Sequence, residues 1–334
     1  MDYGLKEGTT GIKSAGPITF GPDGILFVGD TVSAHVYAFA TSDKAGEPHE
    51  MSMSNVAEKI GKATKQTDVK VNDMAVHPSS GAVYLSCGTS AGPMVVSISG
   101  DEIKAVDIGS SKHSKIELTN VPAPGGEGRR NKRGQCITDL AFLDGSLLVA
   151  GLSNDKAASK MRSISFPFAK TDSGSSIKIY HGAHGAEETR SPAQTFVPLN
   201  IGGEPSVVAA YICTPLVTYP VSAVTGGDEV VEATTVAELG NRNKPLDMLS
   251  YEKDGNQYLL LSNSARGVMK IDAKNVGKID AIKDRVERGE TAGLEYDTIE
   301  NLKGVVQLDR LDEGRVLAMI ETDGKLEIET FELP

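Results

Sequence analysis

Short apolar runs broken by glycine turns dominate the chain. The stretches "GPITFGPDGILFVGD" from Gly16, "VNDMAVHPSSGAVYLSCG" from Val71, "ITDLAFLDGSLLVAGL" from Ile137 and "PLDMLSYEKDGNQYLLLSN" from Pro245 share one plan. An apolar run meets a turn at a glycine and a second apolar run follows, which predicts two strands joined by a hairpin. Two weaker copies begin at Ser191 and Gly304, and the six starts are separated by 55, 66, 54, 54 and 59 residues. Each hairpin is followed by more strand-like pieces, such as "GPMVVSI" and "IKAVDIG" after the second copy. Four strands per unit result, and a repeat of this length signals stacked supersecondary units. Units that cannot bury their faces alone bury one another when packed radially. The pattern therefore predicts an all-β fold, a six-bladed β-propeller forming one domain over residues 1–334, with inner strands starting near 16, 71, 137, 191, 245 and 304.

The last copy holds only three strands, "VVQLDRL", "RVLAMIE" and "LEIETFEL". The segment before Lys13 is accordingly expected to supply the fourth and close the ring. Helical insertions are expected in "NVAEKIGKATKQTD", where Val56, Ile60 and Ala63 share a face behind Asn55, and in "AIKDRVERGETAGL", where Ile282 and Val286 do.

The 334 residues are 39% hydrophobic and can bury a large core. A formal charge of -11 argues against nucleic acid or an anionic membrane as partner. No stretch has the run of about 18 apolar residues that a membrane span needs. No leader is evident at the start, so a periplasmic or secreted location is expected only if one has been removed. Cys87, Cys136 and Cys213 are too few and too scattered for a disulfide framework or a metal knuckle.

In a propeller the first strand of each blade lines the central channel, so residues at the repeat starts converge. Aligning the copies on their turns places Asp73, Asp139 and Asp247 at one level, with Ile18, Gln194 and Gln307 in the other blades. Gathered carboxylates need compensation, by a divalent ion such as Ca²⁺ or by basic groups, or else they are interblade struts. Just upstream of each position stands a cation: Lys13, Lys70, Arg133, Arg190, Lys244 with Arg242 nearby, and Lys303. Such a ring either pairs with the aspartates or draws a small anionic ligand into the channel, held by Arg133, Arg190, Arg242 and Lys70.

The strand "NDMAVHPSSGAVYLSCG" resembles the blade start in which six-bladed propellers of the NHL and SMP-30/gluconolactonase-like group place an oxygen ligand for a divalent ion, and "PLDMLSYEKDG" is similar to their later Asp-bearing strand. The resemblance implies Asp73 or Asn72, and Asp247, as metal ligands. It departs from the group at Ala15, where that group carries an acidic ligand.

The loop "YHGAHGAEETRSP" concentrates His181, His184, Glu187, Glu188 and Arg190 and is expected to overhang the channel mouth. Its histidines, three apart, suit general acid–base work or chelation of a transition metal. The function expected is a metal-dependent small-molecule enzyme or binding protein acting on an anionic ligand in the channel, most like a lactonase or ester hydrolase. In it Asp73, Asp139, Asp247 and Asn72 hold the ion, and His181 or His184 moves a proton. The alternatives are a non-catalytic scaffold presenting its top loops to a protein partner, and a redox propeller with a His-ligated transition metal.

Overall fold

Strand pairing in the computed structural model gives six sheets around one channel, antiparallel except where Val230–Glu232 pairs parallel with Ser175–His181. It describes residues 3–126, 131–170, 173–213, 215–226, 229–240, 242–287 and 289–334. The inner strands are Ile18–Phe20, Lys70–Val76, Asp139–Leu143, Thr195–Ile201, Pro245–Lys253 and Val305–Arg310, here blades I to VI in chain order. Each begins within a few residues of its predicted start. Both faces of a blade pack on neighbours, so the second strands read as unbroken apolar runs. Ile25–Asp30 of blade I is buried at every position.

The blades do not follow one another around the ring in chain order. Inner strands touch in the cycle I, III, IV, V, VI, II and back to I. The cores between blades confirm that cycle. Phe27 and Val36 of blade I share a cluster with Leu147 and Val149 of blade III, Tyr37 and Phe39 of blade I with Tyr84 and Val95 of blade II, and Leu85 of blade II with Leu317 and Ile328 of blade VI.

This order explains how the ring closes, and it corrects the expected closure. After the third strand of blade I the chain passes to blade VI, where Ser52–Met53 pairs antiparallel with Ile328 and Glu329 as the fourth strand. The helix Val56–Thr64 follows, burying Val56 and Ile60 where the pattern predicts. After blade II the chain returns to lay His113–Glu117 on the outer edge of blade I. Among its described residues, the segment before Lys13 makes a single β-bridge, Lys6 to His113, and packs Tyr3 and Leu5 against the core between blades I and III. Met51 and Met53 fill the space between blades II and VI, which the polar "KEGTTG" cannot.

The second predicted helix is absent among the described residues. Ile282 and Val286 instead donate backbone N–H groups to Thr235 on the outer strand Thr234–Glu238 and to Gly182 in the turn after Ser175–His181. These tertiary hydrogen bonds override a weak local helical pattern. The other α-helix among the described residues is Val221–Thr225.

Candidate functional site

The channel has two mouths separated by a waist of carboxyl groups. The upper mouth, where the inner strands begin, is a cup of ≈ 470 Å³ lined by Ser14, Asn72, Gln135, Gln194, Lys244 and Gln307, among others. The lower one, ≈ 580 Å³, is more apolar and includes Phe20, Phe142, Pro198 and Arg310. Asp73, Asp139 and Asp247 border both, so the sequence alignment brought the right three residues together.

Each of these carboxylates ties its blade to the next around the ring. Asp73 accepts the Ile18 N–H at 2.7 Å. Asp139 accepts that of Phe196 at 2.8 Å, and Asp247 that of Leu308 at 2.7 Å. A fourth, Asp309, accepts the Val76 N–H at 2.6 Å. All four bonds run in the same sense, from III to IV, V to VI, VI to II and II to I. The two remaining junctions, I to III and IV to V, lack such a strut, and there Ile18 and Gln194 stand at the aligned level. The second oxygens are also engaged, by the Leu140, Met248 and Arg310 amides and by the Gln307 side chain. Asn72 gives its amide to the Ala15 carbonyl.

Asp309 escaped the sequence alignment because it lies two residues beyond the aligned Gln307. Alternation in "VVQLDRL" puts both on the channel face, which is the signal that could have found it.

The fit to Ca²⁺ is poor. The oxygens of Asp73, Asp139 and Asp247 already accept N–H donors, and Ala15 is buried where the gluconolactonase-like group has an acidic ligand. Among the described residues only one group of three or more His, Cys, Asp or Glu brings its ligand atoms within 4.8 Å of one another, and it lies elsewhere: His181, His184 and Glu188. The four aspartates each bond a backbone N–H of the neighbouring blade. Burial raises all of them. Asp73 is pushed up to about 8, with Asp139 and Asp309 charges adding to the desolvation. Asp139 and Asp309 rise to about 6. Asp247 rises well above the carboxylate range, through burial and the nearby charges of Asp73 and Asp139.

The upstream cations separate into those at the upper mouth and those that are not. Lys244 lines the cup. Lys70 and Arg242 line adjoining grooves that share Lys244. Arg133 is spent on structure, donating to the carbonyls of Thr31, Val32 and Pro122. Arg190 is exposed and lines neither mouth. Among the described residues none of these cations pairs with a channel aspartate.

The histidine loop is not at the mouth. His181 ends the outer strand Ser175–His181 of blade III and turns back into Ala186–Glu188, and neither channel mouth includes any residue of this hairpin. Pairing of Ala186–Glu188 with Ile179–His181 keeps the loop on the sheet edge and away from the mouth it is expected to overhang. The two histidines do come together, with ring centroids 3.9 Å apart. Cys136 is the inert buried thiol that its apolar surroundings suggest, pushed up to about 11 by burial.

No protein-family model matches the sequence, and no curated protein does. The gluconolactonase-like resemblance therefore rests on blade-start motifs alone. Solved structures similar to this chain include an oxidoreductase from Thermus thermophilus described as a glucose dehydrogenase, 11% identical, covering 98% of this chain and 99% of its own with a TM-score of 0.39. Another is the PQQ-bound form of an aldose sugar dehydrogenase from Streptomyces coelicolor, 13% identical over 98% and 97% of the two chains, TM-score 0.32. The six-bladed architecture rests on the strand pairing and not on these likenesses.

Proposed function

We propose that the upper cup of the channel binds a small polar molecule bearing an anionic group, and that opening of an ester or lactone is the chemistry it suits. One observation carries this reading: an unpaired ammonium lines a cup whose walls also carry the side-chain amides of Gln135 and Gln194. Lys244 has no ion-pair partner among the described residues, and Gln307, fixed by donating to the Asn72 carbonyl at 2.9 Å, leaves its Oε1 buried without a hydrogen bond. A ligand carboxylate would meet Lys244, and ligand hydroxyls would meet the amides of Gln135 and Gln194. The floor beneath them is made of carboxyl groups that burial raises toward neutral pH, Asp73 to about 8 and Asp139 to about 6. Such a pair supplies a proton donor and a proton acceptor to a bound ester.

The test is a thermal-shift series with hydroxycarboxylic acids, the products of lactone opening, and with simple phosphates. Hydroxycarboxylates are expected to raise the melting temperature saturably in the parent, and Lys244→Ala is expected to weaken that binding about tenfold or more, in line with a hydrogen bond to a charged group. If no anion stabilises the parent, or if Lys244→Ala responds as the parent does, the cup is not the site.

A further inference from the structure

We propose that the rim hairpin of blade III is a binding site for a zinc-type transition-metal ion, with His181, His184 and Glu188 as ligands, separate from the channel. The three side chains are held together by the fold. His181 is on the last residue of its strand and Glu188 is on the paired strand Ala186–Glu188, with the turn Gly182–Gly185 between them. His181 Nδ1 lies 3.1 Å from Glu188 Oε2, and His184 Nδ1 lies 2.5 Å from Glu188 Oε1. Two imidazole nitrogens thus face the two oxygens of one carboxylate, and all three residues can bring a ligand atom within 4.8 Å of the others. Imidazole nitrogen plus carboxylate oxygen is the donor set of a His₂Glu zinc centre, whose ligands stand about 2.0–2.2 Å from the ion.

A second observation points to a ligand independently of that grouping. His181 is 3% exposed, and its Nε2 is buried with no hydrogen-bond partner. Glu238, 1% exposed on the outer strand of blade IV, accepts the Gly182 N–H with Oε1 and leaves Oε2 buried and unpartnered. A neutral His181 that gives Nδ1 to a metal keeps its proton on Nε2, and a nearby buried carboxylate is the usual orienting acceptor for such a ring. Two carboxylates and two neutral imidazoles also balance a divalent charge. His184 is 55% exposed at its side chain, so the site opens to solvent on that side and leaves room for a water or an incoming ligand.

The turn is shaped around this cluster. Gly185 has φ +63, and a Cβ there would crowd the stem of Arg285; a Cβ on Gly182 would strike Glu238 and Val286. With Val286 N–H bonded to the Gly182 carbonyl, the turn is clamped between its own strand and the 282–286 segment, which limits the ordering that metal binding must impose.

The experiment uses the full chain, washed with chelator and then titrated with Zn²⁺, and separately with Co²⁺ as a spectroscopic probe. One Zn²⁺ per chain is expected, and Co²⁺ is expected to give the visible bands of a low-coordinate nitrogen–oxygen site. His184→Ala and Glu188→Gln change exposed or half-buried groups and should fold. Each is expected to weaken Zn²⁺ binding by roughly a hundredfold and to abolish the cobalt bands, and Glu238→Gln by about tenfold. Absence of stoichiometric zinc binding in the parent would overturn the proposal, as would His184→Ala and Glu188→Gln titrating like the parent. A fall in melting temperature on Zn²⁺ removal that is missing in His184→Ala would support it through stability alone.

Discussion

Met53→Asp is expected to unfold the protein or drive it into aggregates at room temperature, while Ser52→Lys one residue earlier leaves its melting temperature nearly unchanged. Met53 is 5% exposed and sits among Val56, Ile60, Leu317 and Ile328 in the core between blades II and VI. An aspartate there is a buried charge with no partner, at a cost of about 3–5 kcal/mol beyond the lost packing. It also uncouples the two-residue strand that covers the edge of blade VI, and an uncovered edge is a template for association. Ser52 is exposed on the same strand, and a lysine opposite Glu329 introduces no repulsion. Thermal unfolding and light scattering of the two variants check the closure. If both melt like the parent, residues 52 and 53 do not close the ring.

Asp247→Ala should cost about 2–4 kcal/mol, because it leaves the Met248 and Leu308 N–H groups without their acceptor at the junction of blades V and VI. Gln194→Ala, at a junction with no such strut, should stay within about 0.5 kcal/mol. The raised carboxyls add a pH signature whose sign is the reverse of the usual salt-bridged aspartate. Asp73 is pushed to about 8 in the folded protein against about 4 unfolded. The folded state therefore binds the extra proton between those values, and stability falls as pH rises from about 4 to about 8, then levels. Asp139 and Asp309, at about 6, complete their share by about pH 7. Above that, the slope belongs to Asp73 and Asp247, and Asp73→Asn should flatten it by removing one group and relieving the other. Melting temperatures at pH 6, 7 and 8 check this, and a variant slope equal to that of the parent would mean that Asp73 is ionised throughout.

What was legible in the sequence follows from how strongly local pattern binds to fold. The six hairpins could be read because buried strands repeat an apolar run and a glycine turn, and the convergence of Asp73, Asp139 and Asp247 followed from alignment alone. Ring order could not be read, since blades I and II carry the same local pattern whichever neighbour they pack against. The closing strand was hidden because two residues, Ser52 and Met53, make too short a run to stand out from "EPHEMSMSN". The histidine cluster was visible as composition, but its place was not. A repeat pattern implies a direct path from an outer strand to the next inner strand, whereas the extra pairing Ala186–Glu188 keeps the turn on the rim. Glu238, 50 residues past Glu188 in sequence, reaches the cluster only through packing of blade IV against blade III.

In the proposed function, the upper cup beside Lys244 and Gln307 is where a small anionic molecule binds. A crystal of the parent soaked with the hydroxycarboxylate that stabilises it best tests this directly. Density is expected in the cup, with the ligand carboxylate on Lys244 Nζ, above the Asp73, Asp139 and Asp247 waist. Density confined to the lower mouth around Arg310 and Phe142, with the cup empty, would contradict it.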